Sequence, residues 1–413
     1  MGLRRYVRAA AKATRSSWRS DWTRADDVIE ATRAQFELSD EQRAIGALAA
    51  EIAQREIAPH VAEWDRSHVF PRELYGKLTE AGIMGILVPE AYGGAGADYL
   101  SYALAIEELA RVDAGTAVTI SVHSMICSAI LALGNAEQKE RWLEKLATAD
   151  VIAGFALTES DAGSDAAALR ATARRTGDGY VLSGRKQWCT SGSYAGVIMG
   201  MFRTGGSGAR GVSAFLIEAN LPGIRVERVT EKLGIHTSNT CDLSFDDVAV
   251  GAEALLGEEG EGFGNAMRAL TAGRIGIAAQ AIGILAACLD ESVKFAKERV
   301  AFGKPIGAFE GVSFKIAQMA MDLDAARLLT YRAAALADAG QPFALAASKA
   351  KLFASTAARK HAAEALQIHG GYGYTSEFPV ERYYRDAKIT EIYEGTSEIQ
   401  QIIIARSLLG RLD

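Results

Sequence analysis

The chain predicts an α+β multidomain protein: an N-terminal α-helical domain, a middle antiparallel β-barrel or small sheet domain, and a C-terminal four-helix bundle. Three observations carry that expectation. Residues 36–150 hold amphipathic helical segments with recognisable starts; residues 151–260 change to short β-rich segments divided by turn signals; after Gly262 long alanine-rich segments run to the end. Residues 1–35 stand apart as a basic extension, which gives boundaries at 1–35, 36–150, 151–260 and 261–413.

The helical part begins where Ser39 and Gln42 form a capping box ahead of AIGALAAEIAQREIAP, which Pro59 ends. PRELYGKLTEAG, YLSYALAIEELARVD and NAEQKERWLEKLATAD supply further amphipathic helices, the last opened by Asn135 with Gln138 three residues on. In the middle part VIAGFALT, YVLSGRKQW, GVIMGMFR, GVSAFLIE, IRVERV and CDLSFDDVAV read as strands. Gly177-Asp178-Gly179 and Leu221-Pro222-Gly223 are turn signals between them. The last part offers FGNAMRAL, RIGIAAQAIGILAACLDESVKFAKER, FKIAQMAMDLDAARLLTYRAAALADAG and PFALAASKAKLFASTAARKHAAEALQIHG, apolar on broad faces and suited to close helix packing.

Composition excludes several classes of function. A formal charge of −6 leaves no basic footprint, so nucleic acid is not an expected partner. No run of 18 apolar residues appears, so no membrane span is expected. Cys127, Cys189, Cys241 and Cys288 lie far apart without a C-x-x-C pair and read as buried thiols of a reducing compartment. The histidines lack metal-ligand spacing, so no metal is expected. The start of the chain carries Arg4, Arg5, Arg8, Lys12, Arg15 and Arg19 before its first acidic residue, Asp21. That pattern suits a basic extension of a bacterial, cytoplasmic protein; a transit peptide to the mitochondrial matrix is the alternative.

Five stretches carry candidate chemistry. IYEGTSEIQ (residues 392–400) sets Glu394 between apolar residues and a helix start, with Ser397 and Gln400 spaced as a capping box. A carboxylate held dry there has a raised pKa and becomes a usable base; the plainer alternative is a surface-turn glutamate. FALTESDAGSD (residues 155–165) ends a strand in a turn whose backbone N–H groups and Thr158 and Ser164 hydroxyls suit the polar edge of a flat cofactor, or form only a sheet-end turn. RKQWCTSG (residues 185–192) offers Trp188 as a stacking face and Thr190 as a hydroxyl, against a core Trp with a surface Thr. RVAFGKPIGAFEGVSFK (residues 299–315) presents Arg299 to a phosphate or an adenine, or merely to solvent. QIHGGYGYTSEFPVERYYRDA (residues 367–387) has Gly370-Gly371, which suit close approach to a pyrophosphate or a helix end. Arg382 and Arg385 in that stretch have Glu381 and Asp386 as possible ion partners.

Taken in this order on an α–β–α chain, these motifs resemble the acyl-CoA dehydrogenase family over residues 36–410, most closely its short-chain and short-branched-chain members, notably in GRIGIAAQAIG and IYEGTSEIQ. The resemblance implies the three-domain fold named above, usually as a homotetramer, with FAD between barrel and bundle. Phe155, Ala156, Leu157, Thr158, Gly163 and Ser164, with Trp188, Cys189 and Thr190, match flavin-contacting segments. Arg299, Phe302 and Glu310, with Gln367, Ile368, His369, Gly370 and Gly371, match segments reaching the ADP half, partly from a neighbouring subunit. Thr396, Ser397 and Glu398 match the FAD contact beyond the base, and Ser164, Thr271, Arg274 and Gly395 match substrate or CoA contacts.

Glu394 matches the family's catalytic base. Some relatives carry theirs at the position of Gly273, which here has no side chain. The implied reaction is α,β-dehydrogenation of a short or branched acyl-CoA to a trans-2-enoyl-CoA, as in fatty-acid β-oxidation. Glu394 takes the α-proton, and flavin N5 accepts the β-hydride. Backbone N–H of Glu394 and a ribityl hydroxyl hold the thioester oxygen, and an electron-transfer flavoprotein reoxidises the enzyme. Three departures qualify the match: Thr271 replaces a frequent aspartate near CoA, Glu310 replaces a glutamine, and Ala117 stands where glutaryl-CoA relatives have arginine. Gly115 to Leu131 is a candidate pocket wall and, more simply, core. Two alternatives share the fold: a dehydrogenase of a carrier-protein thioester, and an oxygen-using oxidase. A helical scaffold that has lost its chemistry is the non-enzymatic one.

Overall fold

A computed structural model describes residues 38–410, so the basic extension expected over residues 1–35 lies outside the described residues. Helix α1 (Asp40–Ile52) opens through the expected reciprocal cap: Gln42 N–H donates to Ser39 Oγ at 3.1 Å and Ser39 N–H to Gln42 Oε1 at 2.9 Å. Helices α2 (Val61–Ser67), α3 (Arg72–Glu80), α4 (Tyr99–Val112), α5 (Ala114–Leu133) and α6 (Ala136–Ala147) follow. The Asn135–Gln138 capping box of α6 is present in both directions.

Helix α5 shows how a site scaffold hides in a sequence. The Asp113 carboxylate caps it, accepting from the Gly115 and Thr116 N–H groups, and the Thr237 hydroxyl donates to it from the middle domain. Its residues are buried almost all round, so there is no polar face and no 3.6-residue alternation to read.

The middle region is one sheet in the order β6 (Ile224–Val229), β7 (Thr240–Gly251), β3 (Gly179–Thr190), β2 (Thr172–Thr176), β4 (Ala195–Arg203), β5 (Val212–Glu218) and β8 (Leu255–Leu256). Strand β1 (Ile152–Ala156) also pairs with β4, in parallel. The expectation of an antiparallel sheet is therefore corrected: the sheet is mixed, because β1 and β4 are joined through the β2–β3 hairpin instead of a tight turn. Gly177 adopts a positive φ in that hairpin, as its turn requires. One face closes on Tyr180, Phe202, Phe215 and Phe245, which meet edge to face at 5.0–6.1 Å.

The C-terminal region is built on α7 (Gly262–Glu298), a single helix about 55 Å long at 1.5 Å per residue. It spans both FGNAMRAL and RIGIAAQAIGILAACLDESVKFAKER. Its glycines are not breaks: a Cβ on Gly276 would lie 2.2 Å from the Tyr102 hydroxyl, so glycine lets α4 and α7 meet. A short hairpin, β9 (Val300–Ala301) with β10 (Lys304–Pro305), leads to α8 (Glu310–Asp338), α9 (Ala344–His369), α10 (Val380–Ile389) and α11 (Ser397–Leu409). Helices α5 and α7 are each long and apolar enough to cross a membrane by length and composition, yet 78% and 100% of those windows are buried within the protein. All four cysteines are buried free thiols.

Candidate active site

The chain between α10 and α11 makes a tight turn in which Glu394 has φ +52° and Gly395 φ +93°. A non-glycine residue there costs of order 1 kcal/mol or more and persists only where its surroundings hold it. Here three buried groups do so. Lys351 Nζ on α9 donates to the Gly395 carbonyl at 2.7 Å, and Gln400 Nε2 donates to the same oxygen at 2.9 Å. The preceding Tyr393 hydroxyl donates to Gln280 Oε1 on α7, and Gln280 Nε2 donates to the Ala114 carbonyl at the start of α5.

This geometry corrects one sequence expectation. The N-cap of α11 is Thr396, whose Oγ1 accepts from Ile399 N–H at 3.4 Å, and not Ser397. Ser397 N–H instead donates to the Glu391 carbonyl at 3.0 Å, and Gln400 is turned back to brace the site. Thr396 caps with its hydroxyl alone, having Ile399 three residues on, because the Gln400 side chain is spent on the Gly395 carbonyl.

Glu394 as a whole is half-buried, but both carboxylate oxygens are buried and have no hydrogen-bond partner. Burial pushes its pKa up to about 7, against the opposing pull of Lys351 and, less, of Arg274. Arg274 is itself buried, donates through Nη1 to Ser348 Oγ at 3.4 Å, and has an unpartnered Nε. Burial lowers the Lys351 pKa to about 8. The carboxylate lies directly over Gly273: a Cβ there would stand 2.2 Å from Glu394 Oε2 and 3.1 Å from Met125 Sδ. Residue 273 and residue 394 thus face one point, and only one of them can carry a side chain into it. An ionisable group poised near neutrality, dry and unpaired, is equipped to take a proton from a neutral carbon acid.

At the sheet end, a bulge in β3 between Lys186 and Cys189 leaves Trp188 at φ +54° with 57% of its surface exposed, which rules out a core tryptophan. Gln187 N–H donates to the Thr158 carbonyl at 2.8 Å, and buried Lys186 reaches the Leu157 carbonyl at 3.2 Å and Glu159 at 2.7 Å. These bonds bring the turn after Phe155 and the Trp188–Thr190 segment to one end of the sheet. Ala156, Leu157 and Cys189 are buried, Phe155, Thr158 and Thr190 half-buried, and Gly163 and Ser164 exposed.

A second cavity of about 510 Å³ is lined by Arg299, Ile368, His369, Gly370, Gly371 and Tyr372, among others. Arg299 lies over the Tyr372 ring at 5.4 Å. Nothing lies within 4 Å of where a Cβ of Gly370 or Gly371 would be, and His369 Nε2 is buried without a partner. An open glycine edge, a cationic side chain and an orphaned imidazole nitrogen fit the phosphate or adenine end of a dinucleotide. Phe302 projects from its hairpin at φ +51° with 93% exposure, and Glu310 starts α8 in the open. Gln367 lies exposed in the last turn of α9, next to the cavity's Ile368, and Glu398 is exposed in the first turn of α11.

Four further side chains singled out in the sequence have partners within the fold. Thr271 donates its hydroxyl to the Met267 carbonyl of its own helix at 2.7 Å. Arg385 pairs with Glu381 and also with Asp65, while Arg382 is buried and donates to the Val112 carbonyl; Asp386 accepts from Ile235 N–H. Sequence reasoning missed Lys351, Gln280 and the bracing role of Gln400. No spacing marks them, since each is brought in by a separate helix. A lysine inside an alanine-rich apolar face was the one available signal.

Three sequence signatures match the chain: "Acyl-CoA dehydrogenase, N-terminal domain" over residues 39–150, the middle domain over 154–248 and the C-terminal domain over 260–409. An acyl-CoA dehydrogenase of Bacillus subtilis is 48% identical over 375 residues, covering 90% of this chain and 99% of the relative. The mitochondrial short-chain specific acyl-CoA dehydrogenase of Mus musculus is 44% identical, covering 98% and 97%. The structure of butyryl-CoA dehydrogenase from Megasphaera elsdenii superposes with a TM-score of 0.89 at 44% identity, covering 90% of this chain and 99% of that one. A chain in the structure of the electron transferring flavoprotein of Acidaminococcus fermentans gives a TM-score of 0.89 at 45% identity, covering 91% and 99%.

Proposed function

The chain belongs to the acyl-CoA dehydrogenase family, and from that premise we propose that Glu394 is its catalytic base, acting on a short acyl-CoA. The single observation that carries this is the buried, unpartnered Glu394 carboxylate over Gly273, with its pKa near neutrality. The activity is flavin-dependent α,β-dehydrogenation of an acyl-CoA. Glu394 removes the α-proton and keeps it in a pocket closed to water, yielding a trans-2-enoyl thioester. Its backbone N–H is the donor we assign to the thioester oxygen, where charge develops as the proton leaves. FAD, when bound, accepts the β-hydrogen together with its electron pair. The residues that would hold it are Thr158, Ser164, Trp188 and Thr190 at the sheet end, with Thr396 beyond the base. Arg299, Phe302, Glu310 and Gln367 to Gly371 would hold the ADP half. Arg274, Gly395 and Ser164 face the substrate.

A short chain is favoured by the likeness to the short-chain specific relative and to butyryl-CoA dehydrogenase, and α4 and α5 close tightly on α7 near the carboxylate. One turn along α7 from Gly273, a Cβ on Gly276 would meet the Tyr102 hydroxyl at 2.2 Å and Ser121 Oγ at 2.3 Å.

The same proposal takes the folded-over sheet as a barrel around its aromatic core. It takes α7, α8, α9 and α11 as the four-helix bundle, since α7 packs on α8 and α9, and α11 on α9. A homotetramer fits the exposed apolar side chains of Phe302 and of Phe314, Met321 and Leu328, the last three recurring every second turn of α8. An electron-transfer flavoprotein is the partner we assign, supported by the likeness to a chain in that protein's structure. We assign the protein to a bacterial cytoplasm; N-terminal sequencing of native protein that begins beyond residue 35 would point to a cleaved transit peptide instead.

The test is anaerobic addition of butyryl-CoA to the purified yellow protein. Loss of the oxidised flavin band is expected; a band unchanged by butyryl-CoA but lost with a carrier-bound thioester would refute the acyl-CoA assignment.

A further inference from the structure

Lys351 sits in an alanine-rich stretch of α9, and its side chain is fully buried. Burying an ammonium is costly unless it finds partners. Its partner is the Gly395 carbonyl at 2.7 Å, an oxygen whose second lone pair is taken by Gln400 Nε2 at 2.9 Å. That carbonyl closes the left-handed Glu394–Gly395 turn. Of the two cations acting on the Glu394 carboxylate, Lys351 is the stronger.

We propose that Lys351 is a positioning residue for the reaction: its ammonium clamps the Glu394–Gly395 turn through the Gly395 carbonyl and supplies the positive charge that keeps the neighbouring carboxylate ionised in a dry pocket. This rests on the assignment of Glu394 as base. Arg274 shares the charge but not the clamp, because its hydrogen bond goes to Ser348 and not to the turn.

The groups facing the pair are few. Glu394 meets Arg274 from α7, Lys351 from α9, the Tyr102 hydroxyl from α4 and the adjacent Tyr393 hydroxyl. Lys351 additionally feels Glu391 and Glu398 on either side of the turn. Before proton transfer one anion faces two cations. Afterwards the carboxyl is neutral and both cations remain, so the pocket gains positive character as the substrate carbon becomes electron-rich.

The test uses the flavin-loaded enzyme. Lys351→Gln keeps a donor and removes the charge; Lys351→Arg keeps the charge. In Lys351→Gln the acidic limb of the kcat/KM profile should move up by about one pH unit, and kcat near neutrality should fall about tenfold. Flavin content and Tm should stay near wild type, and Lys351→Arg should return the limb to within about half a unit. A folded, flavin-loaded Lys351→Gln enzyme with an unmoved limb overturns the proposal. Should the amide fail to fold, a displaced limb in Lys351→Arg overturns it equally. Glu394→Gln measured alongside separates the two assignments: turnover in that variant refutes the base itself, whereas an inactive Glu394→Gln beside an unmoved Lys351→Gln limb refutes only Lys351.

Discussion

Two carboxylates in the helical part of the molecule are buried in opposite ways. Glu107 on α4 is 1% exposed, and both its oxygens are engaged: Arg327 of α8 donates to Oε1 through Nε at 3.0 Å and Nη2 at 2.6 Å, and the Tyr331 hydroxyl donates to Oε2 at 2.9 Å. Glu394 has neither oxygen satisfied and sits on a strained turn. Satisfying a buried carboxylate locks its charge and ties helices together; leaving it unsatisfied raises its affinity for a proton at the expense of stability. Glu107 serves the fold, and Glu394 is left free for the proton transfer we propose for it.

That contrast breaks first under mutation of the satisfied member. Glu107→Gln removes the counter-charge hydrogen-bonded to buried Arg327 and should lose about 3–5 kcal/mol in denaturant unfolding. Flavin reduction per folded molecule should remain near wild type; a variant as stable as wild type would contradict the role given to Glu107. Glu394→Gln should do the reverse. A glutamate whose folded pKa lies at about 7 rather than its ordinary 4.5 binds a proton more tightly folded than unfolded. Its ionisation therefore costs the native state most above about pH 7 and little near pH 5. The amide should gain about 2 kcal/mol at about pH 8, with the gain shrinking towards acid, as read by Tm against pH.

A smaller effect is expected from Gly273→Ala, whose methyl would displace the carboxylate; kcat should drop about tenfold with flavin still bound. The mildest probe is pH itself. In the wild type kcat/KM should rise with pH through about 7, as the base sheds its proton, and a limb near the ordinary glutamate value would show that the pocket is wet.

Much of the proposed active region was legible in the sequence because its residues are local. Glu394 announces itself by an apolar run, a glycine and a helix start, and the Trp188 and Phe155 segments end recognisable strands. What escaped is what assembles across elements. Lys351 has no neighbour in sequence that explains it, since its partner carbonyl is 44 residues away. Helix α5 has no polar face, so periodicity is silent there. Strand β2 is mostly solvent-facing, with Ala173 its only buried residue, and lacks the apolar alternation of its neighbours. The parallel run of β1 beside β4 is a property of chain path, which strand composition does not encode. Gly273 and Gly276 resemble helix breaks, yet they are the positions where α7 admits the Glu394 carboxylate and α4.

Whether the unsatisfied carboxylate of Glu394 removes the substrate proton is decided by mixing flavin-loaded Glu394→Gln anaerobically with butyryl-CoA and following the flavin band. The flavin should stay bound and its reduction slow by about 10³-fold or more; reduction at the wild-type rate would show that another group takes the proton.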